Sequence, residues 1–214
     1  DPDYILQPPY EKDYELDQDL HKRIAWYFGE VLGKLISEVK KLLPMTALFT
    51  AGKLRIQHGG DLFQTKQVLR RLGALEQRNC YFEIMYETHA GATLVRTGYG
   101  NLEKIIALHV PAVSFLFFGP LREKTILVTL VKPWDTDGKV AFKSSVFFKT
   151  SKARIIMDLR SLKAVVGLVK TRGKWGIIDR MPGTTPTCFA DDMMTGGPSG
   201  EHEDDELNED NFIL

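Results

Sequence analysis

ARIIMDLRSLKAVVGLVKTRGKWGIIDR, residues 153–180, is the stretch on which the reading of the fold turns. Ala153 to Asp158 and Ala164 to Lys170 are rich in β-branched residues, and Trp175 to Asp179 adds an aromatic residue and two isoleucines. Such runs suit a pleated, half-buried surface, so the spacing predicts a strand, a short turn and a long hairpin. Thr171-Arg172-Gly173-Lys174 is the expected four-residue loop, with Gly173 able to take a positive φ. The stretch contains no nucleophile motif, metal-ligand cluster or phosphate loop. It describes a scaffold for binding.

Upstream, the same reading extends over most of the chain. Ala47 to Ile56, Cys80 to Glu87, Leu102 to Val110, Val113 to Phe118, Thr125 to Val131 and Ala141 to Phe148 read as strands. Turn residues separate them, among them Asp135-Thr136-Asp137-Gly138 and the pair Gly98 and Gly100 around Tyr99. Leu62 to Arg78 fits neither period. Short strands punctuated in this way predict a mainly β fold, a barrel or sandwich, over residues 45–190.

Ahead of that body, Leu20, Ile24, Tyr27, Phe28, Val31, Leu35 and Val39 recur at helical spacing. They predict one amphipathic helix within 14–44, capped by Asp17 or Asp19 and ended by Pro44. Residues 1–13, with Pro2, Pro8 and Pro9, read as an extended linker or docking strand. From 191 onward the chain is glycine and acid, with too little apolar surface to offset ordering, and a disordered acidic tail is expected. Its end, Phe212-Ile213-Leu214, is either a small apolar docking patch or inert.

With 214 residues and 43% hydrophobic content, one globular domain with an appended helical segment is the default. Val110 to Gly119, the longest apolar run, is interrupted by Pro111 and Ser114 and falls well short of the roughly 20 residues of a membrane span, so no membrane partner is expected. A start at Asp1 without a charged-then-apolar leader suggests a piece of a longer protein. Cys80 and Cys188 fit reduced intracellular thiols better than a zinc site or a disulfide framework. Net charge is zero, but residues 20–190 hold 27 bases and 12 acids, and 191–214 hold nine acids and no base. A basic body of that kind either attracts polyanions or is only a solvated surface.

The search for chemistry returns little. His21, His58, His89, His109 and His202 show no zinc-type spacing and no nucleophile partner, and neither a cofactor nor a catalytic residue is expected. The loop His58-Gly59-Gly60-Asp61 either approaches a ligand or turns the chain, with Asp61 capping a short helix from Leu62. Asp158 and Asp179 follow isoleucine-rich runs, where a metal nuclease places its acids at strand ends, but two acids are too few. Their plainer readings are a turn opened by Asp158 and a local ion pair of Asp179 with Arg180. What remains is recognition. Tyr99, Trp134 and Trp175 stand near Lys132, Lys174 and Arg172, while Arg70, Arg71 and Arg78 add charge. Aromatics interleaved with cations can stack bases and neutralise phosphates, can cage a methylated ammonium, or can simply fill the core.

The order GKLRIQHGGD (Gly52–Asp61), CYFEI (Cys80–Ile84), GYGNLEKIIAL (Gly98–Leu108) and DLRSLKAVVGLVKTRGKWGIIDR (Asp158–Arg180) resembles the C-terminal region of transposon-encoded proteins of mushrooms, of the Kyakuja-Dileera-Zisupton type. Comparable blocks there look like GKVRI-x-x-GGD, a strand of the FIRFE type, a YGRxE strand and VxxIxCxVGxVKxxxxWxIIDR. Asn101 stands where that pattern has a basic residue, and Cys80 where it has a hydrophobic or aromatic one. The strand order is also similar to bromo-adjacent homology (BAH) domains, β-barrel readers of chromatin and partner proteins. The resemblance implies a BAH-like β-barrel serving as a noncatalytic appendage, with the transposase acids elsewhere in a parent chain. It also implies a nuclear setting and a chromatin or protein partner; DNA binding through the basic body is the alternative, and a metal nuclease a third.

Overall fold

The computed structural model describes residues 3–57, 60–68, 78–87, 92–110, 112, 118–141, 143–179 and 212–213, the last two and residues 86, 87 and 120 by backbone alone. The first strand, β1 (Tyr4–Glu15), lies antiparallel on β2 (Thr46–Ile56), so the proline-containing start of the chain is an outer sheet strand. Pro8 and Pro9 fall where the β1 register shifts between Gln7 and Tyr10, a place where a missing N–H costs the ladder little.

Between β1 and β2 the chain is helical. In α1 (Gln18–Leu32), the Asp17 carboxylate accepts the Leu20 N–H at 2.7 Å. Gly33 then takes φ 61° and ends the helix, with Lys34 N–H donating to Gly29 C=O at 2.9 Å. A second helix, α2 (Ile36–Leu42), follows. The single long helix expected from periodicity is thus two, because a glycine in the left-handed region satisfies the last carbonyls and turns the chain. Leu20, Ile24, Phe28 and Val39 remain buried, while Val31 and Leu35, counted in the same stripe, face outward.

The principal sheet is organised by one long strand. After the short β3 (Leu62–Gln64), which pairs with β2, come β4 (Asn79–Glu87) and β5 (Thr93–His109). The first part of β5 pairs with β4, residues 105–107 pair with β2, and its second part pairs with β6 (Thr125–Pro133). Ile106 and Leu108 reach the core under the helices and Ile105 the opposite core, as period-two alternation requires. Leu102 shares the core of Ile105 because the register with β6 shifts between Leu102 and Lys104.

A second sheet begins at β7 (Phe147–Phe148). The chain then returns to the principal sheet as β8 (Ile155–Asp158) on β6, makes one 3₁₀ turn over Leu159–Ser161, and continues as β9 (Leu162–Val165) on β4. At Val166 its N–H donates to Asn79 C=O, and beyond that point β10 (Gly167–Thr171) and β11 (Lys174–Ile178) pair with each other, β11 also with β7. The last described strand, β12 (Phe212–Ile213), pairs with β10.

The fold is mainly β with antiparallel sheets, and the expected closed barrel is corrected: the late hairpin does not seal the principal sheet. It leaves that sheet after Val165 and builds a separate one with β7. The hairpin also turns more tightly than expected. Thr171 and Lys174 are a paired rung, so the loop is Arg172-Gly173 alone, with φ 45° and 72°. Both values are positive, as a type I′ turn demands.

Asp158 opens the 3₁₀ turn, as the turn reading of that acid anticipates. Its carboxylate accepts the Arg160 N–H at 2.8 Å and two guanidinium N–H groups at 2.8 Å each. Burial pushes this carboxyl up, but the hydrogen bonds and charge of Arg160 together outweigh it, and the group lies below the usual aspartate value. A depressed folded pKa gives stability that is present above the unfolded value, about 3.9, and is lost as pH falls through the folded value. Asp158→Asn is expected to flatten that acid limb in urea unfolding at stepped pH; an unchanged slope would show that Arg160 does not hold the carboxylate.

Candidate nucleic-acid interface

Directly opposed residues of an antiparallel pair share a sheet face. The register Phe148↔Trp175 and Lys170↔Trp175 therefore places Phe148, Trp175 and Lys170 in one row across β7, β11 and β10. Trp134, in a lone bridge to Ser151, lengthens the row, because its ring stacks on Phe148 with centroids 4.4 Å apart and 5° between planes. The row runs from buried to wet: Trp134 and Phe148 are core, Trp175 is half-buried, and Lys170 is exposed with its Nζ 5.9 Å from the Trp175 ring centre. Arg172, within the turn, and Lys174, just after it, are also exposed. Lys170 shares the sheet face of Trp175, Lys174 lies on the opposite face by alternation, and Arg172 sits in the loop between them, so three cations and one half-buried indole occupy a single hairpin end.

Below the tip, buried polar contacts hold the second sheet to the first. Tyr99 hydroxyl donates to Asp179 Oδ2 at 3.0 Å and accepts the Ala141 N–H at 2.7 Å. Burial, and secondarily the Asp179 charge, keep this phenol protonated well above its ordinary range, against the opposing pull of the Ala141 N–H. Trp134 Nε1 donates to Asn101 Oδ1 at 3.2 Å, and Asn101 Nδ2 donates to Asn79 Oδ1 at 2.7 Å. The asparagine that departs from the resemblance's basic position is thus a link in a buried chain.

These placements sort the candidate binding residues. Tyr99 and Trp134 are corrected from ligand contacts to core, at 0% and 4% exposure. Arg172 and Lys174 are exposed and Trp175 half-buried at the same hairpin end, and the register adds Lys170 on the face of Trp175. Lys132 is exposed on β6, paired in register with Asn101, and Arg78 is half-buried beside β4. Arg70, Arg71, His58 and Gly59 lie outside the described residues. Gly60 and Asp61 are used by the fold: Gly60 N–H donates to Gln57 C=O at 3.2 Å, and Asp61 Oδ2 accepts the Val165 N–H at 2.6 Å. Leu62 opens a strand, so Asp61 caps no helix there; it pins the end of β9.

The described acids Asp158 and Asp179 are engaged in the fold. Asp158 is held by Arg160, Asp179 bonds Tyr99 across 80 positions of sequence, and among the described residues no three His, Cys, Asp or Glu side chains gather to hold a cation. Cys80 is buried, its thiol pushed up by burial while it donates to Gly100 C=O at 3.4 Å. No helix among the described residues is long and apolar enough to cross a membrane.

A second basic and aromatic feature escaped the sequence reading: a groove between α1 and β8 lined by Lys22, Arg23, Trp26, Arg154 and Ile155. Trp26 is 53% exposed there. Lys22 and Trp26, four apart and off the buried stripe, are the signal that would have found it. Arg23 is bound to Asp19 and Arg154 to Glu103, so much of the groove's positive charge is already neutralised. No protein-family model, curated protein or solved structure matches this chain.

Proposed function

We propose that the chain is a noncatalytic interaction module that binds nucleic acid through the tip of the β10–β11 hairpin. The observation that carries the proposal is the placement of Lys170, Arg172 and Lys174 at one hairpin end, with Lys170 on the sheet face of the half-buried Trp175. Cations neutralise phosphates and an indole offers a base a sequence-tolerant stacking surface. The resemblance to transposon-encoded proteins agrees with such a role, as an appendage to a catalytic region elsewhere in a nuclear parent protein.

The test neutralises the tip without disturbing its turn, using Lys170→Gln, Arg172→Asn and Lys174→Gln together; Asn-Gly suits a type I′ loop at least as well as Arg-Gly. Three phosphate contacts give a slope of about −2.7 in log affinity against log salt on duplex DNA. The triple variant is expected to remove most of that slope, whereas Lys40→Gln with Lys41→Gln on α2 is expected to leave it. Equal salt slopes for the intact protein and the triple variant would sink the proposal.

A protein-reader reading is favoured by a different surface. Met85 and Val95 are directly opposed near the end of the β4–β5 hairpin and are 71% and 53% exposed, with Leu94 exposed beside them. Apolar residues grouped at a strand end suit a protein contact. In that case a peptide or protein ligand is lost on Met85→Lys with Val95→Lys, and its binding is indifferent to salt.

A further inference from the structure

In the second sheet β10 has β11 on one side, and on the other only the two-residue β12, which covers Leu168 and Val169. Among the described residues nothing ladders with Lys170 and Thr171 on that outer side. An edge so lightly covered offers backbone N–H and C=O groups to an added strand. What sits there is a later segment of the same chain, in antiparallel register: Val169 opposite Phe212 and Leu168 opposite Ile213.

The sequence leading to that pair is Glu-His-Glu-Asp-Asp-Glu-Leu-Asn-Glu-Asp-Asn, residues 201–211. β10 runs toward the turn that carries Arg172 and Gly173, so a strand added in the observed register runs away from it, and a ligand's residues ahead of the paired ones would pass on the side of the turn. Lys170, Arg172 and Lys174 lie on that side. The acidic run and the basic tip are complementary in charge, and the apolar pair matches the part of β10 whose side chains are buried or half-buried, Leu168 and Val169.

We propose that the outer edge of β10 is a strand-accepting recognition site. Its ligand class is a short extended segment with an acidic run followed by Phe-Ile-Leu, and residues 201–214 of this chain are its intramolecular occupant. Backbone pairing supplies the affinity and the charge beside it sets the direction of the added strand. The site stands on the pairing and not on the nucleic-acid reading, and either can fail alone.

The test keeps the whole chain. Proline at both strand positions, Phe212→Pro with Ile213→Pro, removes two backbone donors and leaves the acidic run untouched. A labelled synthetic peptide of residues 201–214 is then titrated by fluorescence anisotropy into the intact protein and into the double variant. The variant is expected to bind the peptide at least tenfold more tightly than the intact protein, whose site is filled, and a scrambled peptide of the same composition is expected not to bind. Amides of residues 167–171 are expected to exchange with solvent faster in the variant and to regain protection with peptide. Equal weak binding by both proteins, or β10 exchange unchanged by the prolines, overturns the site. An intact protein that is dimeric in light scattering, turned monomeric by the prolines, overturns the intramolecular arrangement.

Discussion

Gly100→Ala is expected to lower the stability of the protein by about 2–3 kcal/mol, while Gly167→Ala changes it by less than about 1 kcal/mol. Both glycines lie in strands, so propensity alone does not separate them. Space does. A Cβ at position 100 would stand 2.7 Å from the Lys132 carbonyl oxygen, 2.9 Å from Val131 Cγ1 and 3.0 Å from Pro133 Cα, and two of these three atoms are backbone of β6. Moving them means prying β6 from β5 where Gly100 pairs with Pro133, and disturbing the carbonyl that receives the Cys80 thiol. At Gly167 the nearest atom is Ile178 Cβ at 3.4 Å, an ordinary contact. Urea unfolding of the two variants checks the difference, and equal midpoints would mean that β5 and β6 are not as close as described.

The same glycine shows why part of the fold was legible in the sequence and part was not. Strands β2, β4 and β6 follow from local composition, because their side chains alternate or cluster between turn residues. Gly98 and Gly100 look like punctuation by the same rule, yet β5 runs straight through both, and the reason is close approach by Phe82 and by β6. A glycine required by a neighbouring strand and one required by a turn are identical as letters. Periodicity likewise placed Ile24 and Phe28 inside but carried the stripe past Gly33, since a 3.6-residue pattern does not report where the axis changes direction. The barrel expectation failed at Val166 for a related reason. Two runs of β-branched residues do not say whether they share a sheet, and one hydrogen bond, Val166 N–H to Asn79 C=O, marks the point where the chain changes from one to the other.

The candidate surface was legible in its charges and not in its aromatics. Lysines and arginines at a strand–turn–strand stay at the surface whatever the fold does, because burying them unpaired is costly. Arg172 and Lys174 are accordingly exposed, and only the opposition of Lys170 to Trp175 had to wait for the register. Tryptophan and tyrosine have no such constraint: each has a large apolar body and one polar atom, which serves a ligand surface or a core equally well. Tyr99 and Trp134 went inside because the fold supplies partners for their polar atoms, Asp179 and Ala141 for one and Asn101 for the other.

Trp134→Ala is expected to cost about 3–5 kcal/mol, lowering the melting temperature by about 10 °C, and to weaken the nucleic-acid binding proposed for the hairpin tip through lost structure. The ring is 4% exposed, is stacked on Phe148, and holds the head of the Trp134–Asn101–Asn79 chain. Its removal leaves a cavity under β7, the strand on which β11 rests. Trp134→Phe refills most of the volume but takes away the donor to Asn101 Oδ1, and an intermediate loss of about 1–3 kcal/mol is expected from that buried acceptor. Trp175→Ala is the contrast. That ring is half-buried at the wet end of the row, so its removal should weaken nucleic-acid binding, with stacking worth about 1–3 kcal/mol per base, while costing less stability than Trp134→Ala. Thermal unfolding and binding measured on the same three variants separate the roles. If Trp134→Ala melts with the intact protein and loses binding outright, Trp134 meets the ligand directly and the order of the aromatic row, buried to exposed, is the reverse of the one described.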